Sequence, residues 1–144
     1  GYTCSHREVV EMLRQNSRPY LFSNSLAPSI AGASLATLDL LKSSGDLLTK
    51  LRENTEYFRS EMTRRGFEIP ESDHPIVPVM VGDAVKAAKM ADAMLAKGIY
   101  VRAFSYPVVP KGKARIRTQM SAGLTREQLD KAIKAFEEAR AEIG

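Results

Sequence analysis

A single cysteine, Cys4, leaves the chain unable to close an internal disulfide, and a reducing, cytoplasmic setting is the expectation. Two histidines and that one cysteine supply no ligand spacing for zinc, and no Ser-His-Asp set is readable from spacing. No apolar run approaches the roughly 18 residues that a membrane span needs, so no membrane association is expected. The opening "GYTCSHREVV" has neither the basic end nor the apolar block of a secretory signal. It also lacks an initiating methionine, and the expectation is a piece of a longer chain. Dense basic blocks are missing too: the net charge of +4, from 21 basic and 17 acidic residues, is spread through the chain and does not point to nucleic acid. Anionic small molecules remain candidate partners. Repeats and low-complexity tracts are absent.

What is present suits a globular domain. The 144 residues, 44% hydrophobic and 26% charged, are enough to bury a core. Val9, Val10 and Leu13 recur near helical spacing and predict a helix within 5–16, stopping before Arg18-Pro19. "SRPYLFSNSLAPS" is rich in proline, serine and asparagine, and Tyr20 to Pro28 within it reads as a boundary. The run from Ile30 to Leu41 is nearly apolar all round, so a helix there is expected to be buried against other parts of a protein. Ser44 or Asp46 can cap a long amphipathic helix bearing Leu47, Leu51, Phe58 and Met62 and ending at Gly66.

The period then changes. Ile76, Val77, Val79, Met80 and Val81 predict a strand, which Pro78 confines to an edge or a bulge. Asp83 should cap a helix closing at Gly98, with a short strand following at 99–104. "SYPVVPKGK" is a loop and "ARIRTQMS" a further strand. Thr125 with Gln128 forms a capping box, with Leu124 placed to staple onto Leu129, and Leu129, Ile133 and Phe136 continue a buried stripe. The sum is an α/β domain with about three strands covered by helices, spanning 42–144. Residues 1–41 form a helical segment and loop expected to pack on something absent from this chain.

Two stretches carry possible chemistry. In a strand, residues two apart point the same way, so Arg115, Arg117 and Gln119 share one face, opposite Ile116, Thr118 and Met120. Guanidiniums so placed repel unless an anion lies between them; a substrate carboxylate and structural Asp or Glu partners are both open on spacing alone. In "FSNSLAP", Ser23, Asn24 and Ser25 lead toward a helix start and can either bind phosphate or act as turn and capping residues. Lys111 and Lys113 read as solvated, and His74 as structural or exposed.

Taken together, "RPYLFSNSLAP" and "YPVVPKGKARIRTQMSA" resemble the α-oxoamine synthase family of pyridoxal-phosphate enzymes, and most nearly its glycine-acetyltransferase members. The resemblance runs the length of the chain. It implies a fold of the aspartate-aminotransferase type (fold type I), with this chain as the C-terminal small domain and a small antiparallel sheet. It implies a homodimer with active sites at the subunit interface, and condensation of glycine with acetyl-CoA to 2-amino-3-ketobutyrate and CoA in threonine breakdown. Arg117 matches the family's clamp on the glycine carboxylate. Ser23, with Asn24, matches the contact that the neighbouring subunit makes to the cofactor phosphate. Arg115 is left to a structural partner.

The same resemblance puts the cofactor lysine upstream of this chain, so the chain alone is expected to be inert. It departs from the family at Leu124, where relatives usually carry histidine. Two alternatives stand beside this reading: a sibling synthase using another acyl-CoA, and a non-catalytic partner subunit of the same fold.

Overall fold

A computed structural model describes residues 3–23 and 26–144. The chain divides into two compact units, Gly1–Ser43 and Ser44–Gly144.

The first unit is helical: α1 (Arg7–Asn16), α2 (Arg18–Phe22) and α3 (Pro28–Ser43). The α1 helix lies where apolar spacing puts it. By contrast, α2 occupies part of the stretch read as a boundary. Pro19 sits in its first turn, where a proline's missing N–H costs nothing and its fixed φ is already helical. No residue of α3 is buried, and Leu35 is 66% exposed.

The second unit contains α4 (Gly45–Arg64), β1 (Ile76–Gly82), α5 (Ala84–Ala96), β2 (Arg102–Phe104), β3 (Ala114–Gln119) and α6 (Arg126–Ile143). Its sheet is antiparallel in the order β1-β3-β2, so the arginine-bearing strand is central. β1 lies at an edge, as Pro78 requires, and its register with β3 slips between Met80 and Gly82. β2 is shorter than expected: residues 99–101 have the β-rich composition but do not join the ladder.

Helices cover one face of the sheet. Val77, Val79 and Ile116 meet Phe58 and Met62 of α4, Met90 and Met94 of α5, and Leu129, Ile133 and Phe136 of α6 in one core. Phe136 is the centre of an aromatic group, with Phe58 edge-on at 6.4 Å and Phe67 edge-on at 5.8 Å between ring centroids.

The ends of the helices follow local chemistry. Asp83 accepts from the Lys86 N–H at 2.8 Å. The Thr125–Gln128 capping box is complete: the Gln128 N–H donates to Thr125 Oγ1 at 3.3 Å, and the Thr125 N–H to Gln128 Oε1 at 2.9 Å. At the end of α4, Gly66 takes φ +76°, a left-handed conformation cheap only for glycine, and the Phe67 N–H returns to the Met62 carbonyl.

Buried polar groups pin the connections. Asn54 Nδ2 donates to the carbonyls of Ser121 (2.9 Å) and Leu124 (3.0 Å), which fixes the turn from β3 into α6. Arg59 reaches the carbonyls of Pro70 and His74, both at 2.9 Å, and sets the approach to β1.

On α4, Glu61 accepts from Arg64 and from Arg65, and Arg65 also reaches Glu137 of α6 at 3.1 Å. The Arg64 hydrogen bond, and then that of Arg65, hold the Glu61 carboxyl at about 2. A carboxyl lowered in the fold stabilises it above the unfolded value of about 4.3, and that contribution disappears as the pH falls toward 2. Glu61→Gln should therefore flatten the acid side of the stability profile between about pH 4.5 and 2. Unfolding of both proteins followed across that window, with parallel curves as the contrary outcome, checks it.

Candidate substrate-carboxylate site

Strand β3 alternates as its composition predicts. Ala114, Ile116, Thr118 and Met120 are buried, and Arg117 and Gln119 are exposed on the other face. Thr118 can be buried because its hydroxyl donates to the Val77 carbonyl at 2.8 Å. The central position of β3 puts Arg117 in the middle of the sheet's open face, between Pro78 of β1 and Arg102 of β2.

The Arg117 guanidinium lies 5.3 Å from the centroid of the Phe104 ring, a cation–π contact. It makes no hydrogen bond or ion pair with the described residues. Some other cations of the unit are matched: Arg64 and Arg65 by Glu61, and Lys97 by Glu138 and Glu142. Arg115 behaves differently from Arg117. It is half-buried, and its Nε donates to the Lys113 carbonyl at 3.2 Å, a local structural bond in place of the carboxylate that spacing left open.

A cavity of about 580 Å³ opens at the end of β3, between the 98–102 segment and the N-terminal half of α6, walled by Thr118, Leu129 and Phe136 from the covered side of the sheet and by Arg117 and Arg102 from the open side. Arg117, Arg102, Gln119 and Lys131 supply its polar lining, and Phe104 and Leu129 part of its apolar lining. An uncompensated, planar, always-charged group at the rim of a partly apolar cavity suits a carboxylate held by two parallel N–H···O bonds.

Ser23 ends α2 in extended backbone and is exposed. It belongs to the first unit, and Arg117 to the second. Asn24 and Ser25 lie outside the described residues. The His74 ring accepts from the Ile76 N–H at 3.0 Å and its carbonyl serves Arg59, so it is structural. Lys111 packs over the Tyr106 ring at 5.2 Å. Among the described residues, no group of His, Cys, Asp and Glu could hold a metal ion, and no helix is long and apolar enough to cross a membrane.

Arg102 escaped the sequence reading. In "YVRAF" it is one cation in an alternating run, and only the β2–β3 register, which pairs it with Arg117, gives it a place.

Comparison with known proteins gives the chain a family. Residues 1–136 match the family model described as aminotransferase class I and II. The chain is 52% identical over all of its 144 residues to 2-amino-3-ketobutyrate coenzyme A ligase of Escherichia coli, covering 36% of that protein. It is also 52% identical over 138 residues to the mitochondrial enzyme of that name from Mus musculus, covering 96% of this chain and 33% of the relative. It thus spans about a third of the length of these relatives. Among solved structures, a serine palmitoyltransferase from S. paucimobilis with bound PLP and myriocin superposes with a TM-score of 0.84 at 28% identity, over 96% of this chain and 35% of that one. The helices on a small antiparallel sheet are thus those of an aspartate-aminotransferase-like, fold type I architecture. The chain belongs to the aminotransferase class I and II family.

Proposed function

We propose that this chain is part of a pyridoxal-phosphate-dependent acyltransferase that condenses glycine with acetyl-CoA to give 2-amino-3-ketobutyrate and CoA, and that Arg117 holds the glycine carboxylate. One observation carries the reading. In a chain 52% identical to two ligases of that name, an exposed guanidinium without a counter-ion among the described residues lies against Phe104 at the rim of a cavity.

In this reading two places of the chain serve such a cofactor enzyme, the second of them including Asn24, which lies outside the described residues. Arg117 is a ligand for the amino acid's carboxylate, and the Ser23 hydroxyl, with the Asn24 amide, is a ligand for a phosphate. Pyridoxal phosphate, when bound, supplies an electron sink for the amino acid's α-carbon, attached through a lysine that we place in the remainder of the protein. Arg117 fixes both carboxylate oxygens, and the Phe104 ring beside it narrows the directions its fork can take. The α-carbon then has one orientation, which turns a diffusive encounter into a positioned one. Ser23 and Asn24 serve the phosphate of the neighbouring subunit's site in a homodimer.

Exposed Leu21, Phe22 and Leu35 in the first unit support a further covering surface, so 1–41 packs on the cofactor-bearing remainder in this reading. Cys4, free and exposed, is consistent with a reducing, cytoplasmic location. Threonine breakdown is the setting such a reaction implies.

The full-length protein assayed with glycine and acetyl-, propionyl- or succinyl-CoA tests this directly. Acetyl-CoA should give the highest kcat/KM. A clear preference for a longer donor would move the protein to a sibling synthase, and lack of turnover with all three would leave it a non-catalytic partner.

A further inference from the structure

We infer that Arg102 is a second carboxylate-binding residue of this site, and that the Arg102–Arg117 pair equips it for small dicarboxylates as well as for a single carboxylate. The inference rests on the assignment of Arg117 to the substrate carboxylate. Its own ground is the register: Arg102 and Arg117 are directly opposed in the β2–β3 ladder. Opposed residues in an antiparallel pair share a face, with Cβ atoms about 4.5–5.5 Å apart, and like charges there destabilise the sheet.

No acidic side chain among the described residues offsets that repulsion. Neither guanidinium has a carboxylate partner among the described residues, although the chain has 17 acidic residues and pairs Arg64, Arg65 and Lys97 with several of them. The remaining charged group lining the same cavity, Lys131, adds to the positive field. A sheet that tolerates two opposed arginines at a cavity wall is suited to an anion between them.

The charge count then selects the ligand class. A monocarboxylate compensates one guanidinium and leaves the other facing the cavity, whereas a dicarboxylate can place one carboxylate on each planar fork. At about 580 Å³ the cavity has room for a molecule of three to five carbons. Arg117 thus sets where the amino acid's carboxylate goes, and Arg102 sets how strongly a second carboxylate is accepted.

The test uses the full-length protein, with malonate and acetate as inhibitors competing with glycine. In the parent, malonate should inhibit at about one tenth the concentration that acetate requires, since a second charged hydrogen-bonding partner is worth roughly that factor. Arg102→Gln should raise the malonate inhibition constant about tenfold and move that of acetate by less than about twofold. Arg102→Lys should fall between, keeping the charge without the fork. The Arg102 side chain is exposed and makes no hydrogen bond or ion pair with described residues, so Arg102→Gln should not lower thermal stability and, by relieving the repulsion, should raise it slightly, which is measured alongside.

If the parent does not prefer malonate, or if Arg102→Gln leaves malonate inhibition intact while Arg117→Leu weakens it, the role of Arg102 is wrong and that of Arg117 stands. If Arg117→Leu alters neither glycine saturation nor inhibition by either acid, the underlying assignment fails with it.

Discussion

Arg117→Leu in the full-length protein should lower kcat/KM for glycine by about 100- to 1,000-fold, the loss expected when two charge-assisted hydrogen bonds totalling about 3–4 kcal/mol disappear. The decrease should be divided between the two constants. KM rises because the carboxylate loses its partner, and kcat falls because a glycine held by fewer bonds presents its α-carbon in many orientations. Arg117→Lys should recover part of KM and little of kcat, since an ammonium supplies charge without the planar fork. Stability should hardly change, because Arg117 has only its contact over the Phe104 ring to lose and its removal relieves the repulsion with Arg102. Steady-state kinetics with glycine varied at saturating acetyl-CoA decide the matter. Parent-like constants in the leucine variant would remove Arg117 from the site.

Phe136→Ala is expected to show a large loss of stability, an effect that Arg117→Leu should lack. The side chain is fully buried between the rings of Phe58 and Phe67, in a cluster to which α4, α5, α6 and the sheet all contribute. Deleting a buried phenylalanine costs about 3–5 kcal/mol, from lost transfer energy and from the cavity left behind. The second unit has one core and no disulfide among its described residues, so little else can offset that loss. Urea unfolding of the variant against the parent measures it. A cost below about 1 kcal/mol would mean that the cluster is not the keystone this packing makes it.

The two variants separate roles that share a few strands and helices. The covered face of β3 holds the fold together and its open face bears the arginine of the proposed carboxylate site, and the alternation of side chains along one strand keeps the two apart. Ile116 and Thr118 are committed to the core so that Arg117, between them, can stand in the open at a fixed place.

Much of this was legible in the residues because it is local. Period-two alternation put Arg117 and Gln119 opposite Ile116 and Thr118, and a threonine three residues before a glutamine marked the start of α6. Pro78 confined β1 to an edge. Local rules failed where neighbours distant in sequence decide. The β-rich 99–101 stays outside the ladder, and α2 forms where proline and serine suggested only a boundary. Asn54 had no visible role until the fold brought it to carbonyls 67 and 70 residues away.

From the sequence alone came the α/β class, the three strands, the helix caps and the arginine that stands out, together with a family resemblance that its motifs carry. Each depends on side-chain type at separations of two to four residues, a distance over which covalent geometry already dictates which groups share a face. Only the tertiary structure decided that β3 is central, that Arg115 turns back to the Lys113 carbonyl while Arg117 stays unpaired among the described residues, and that Arg102 stands opposite it. Strand order and register follow from how the helices bury one face of the sheet, and no local rule encodes that packing.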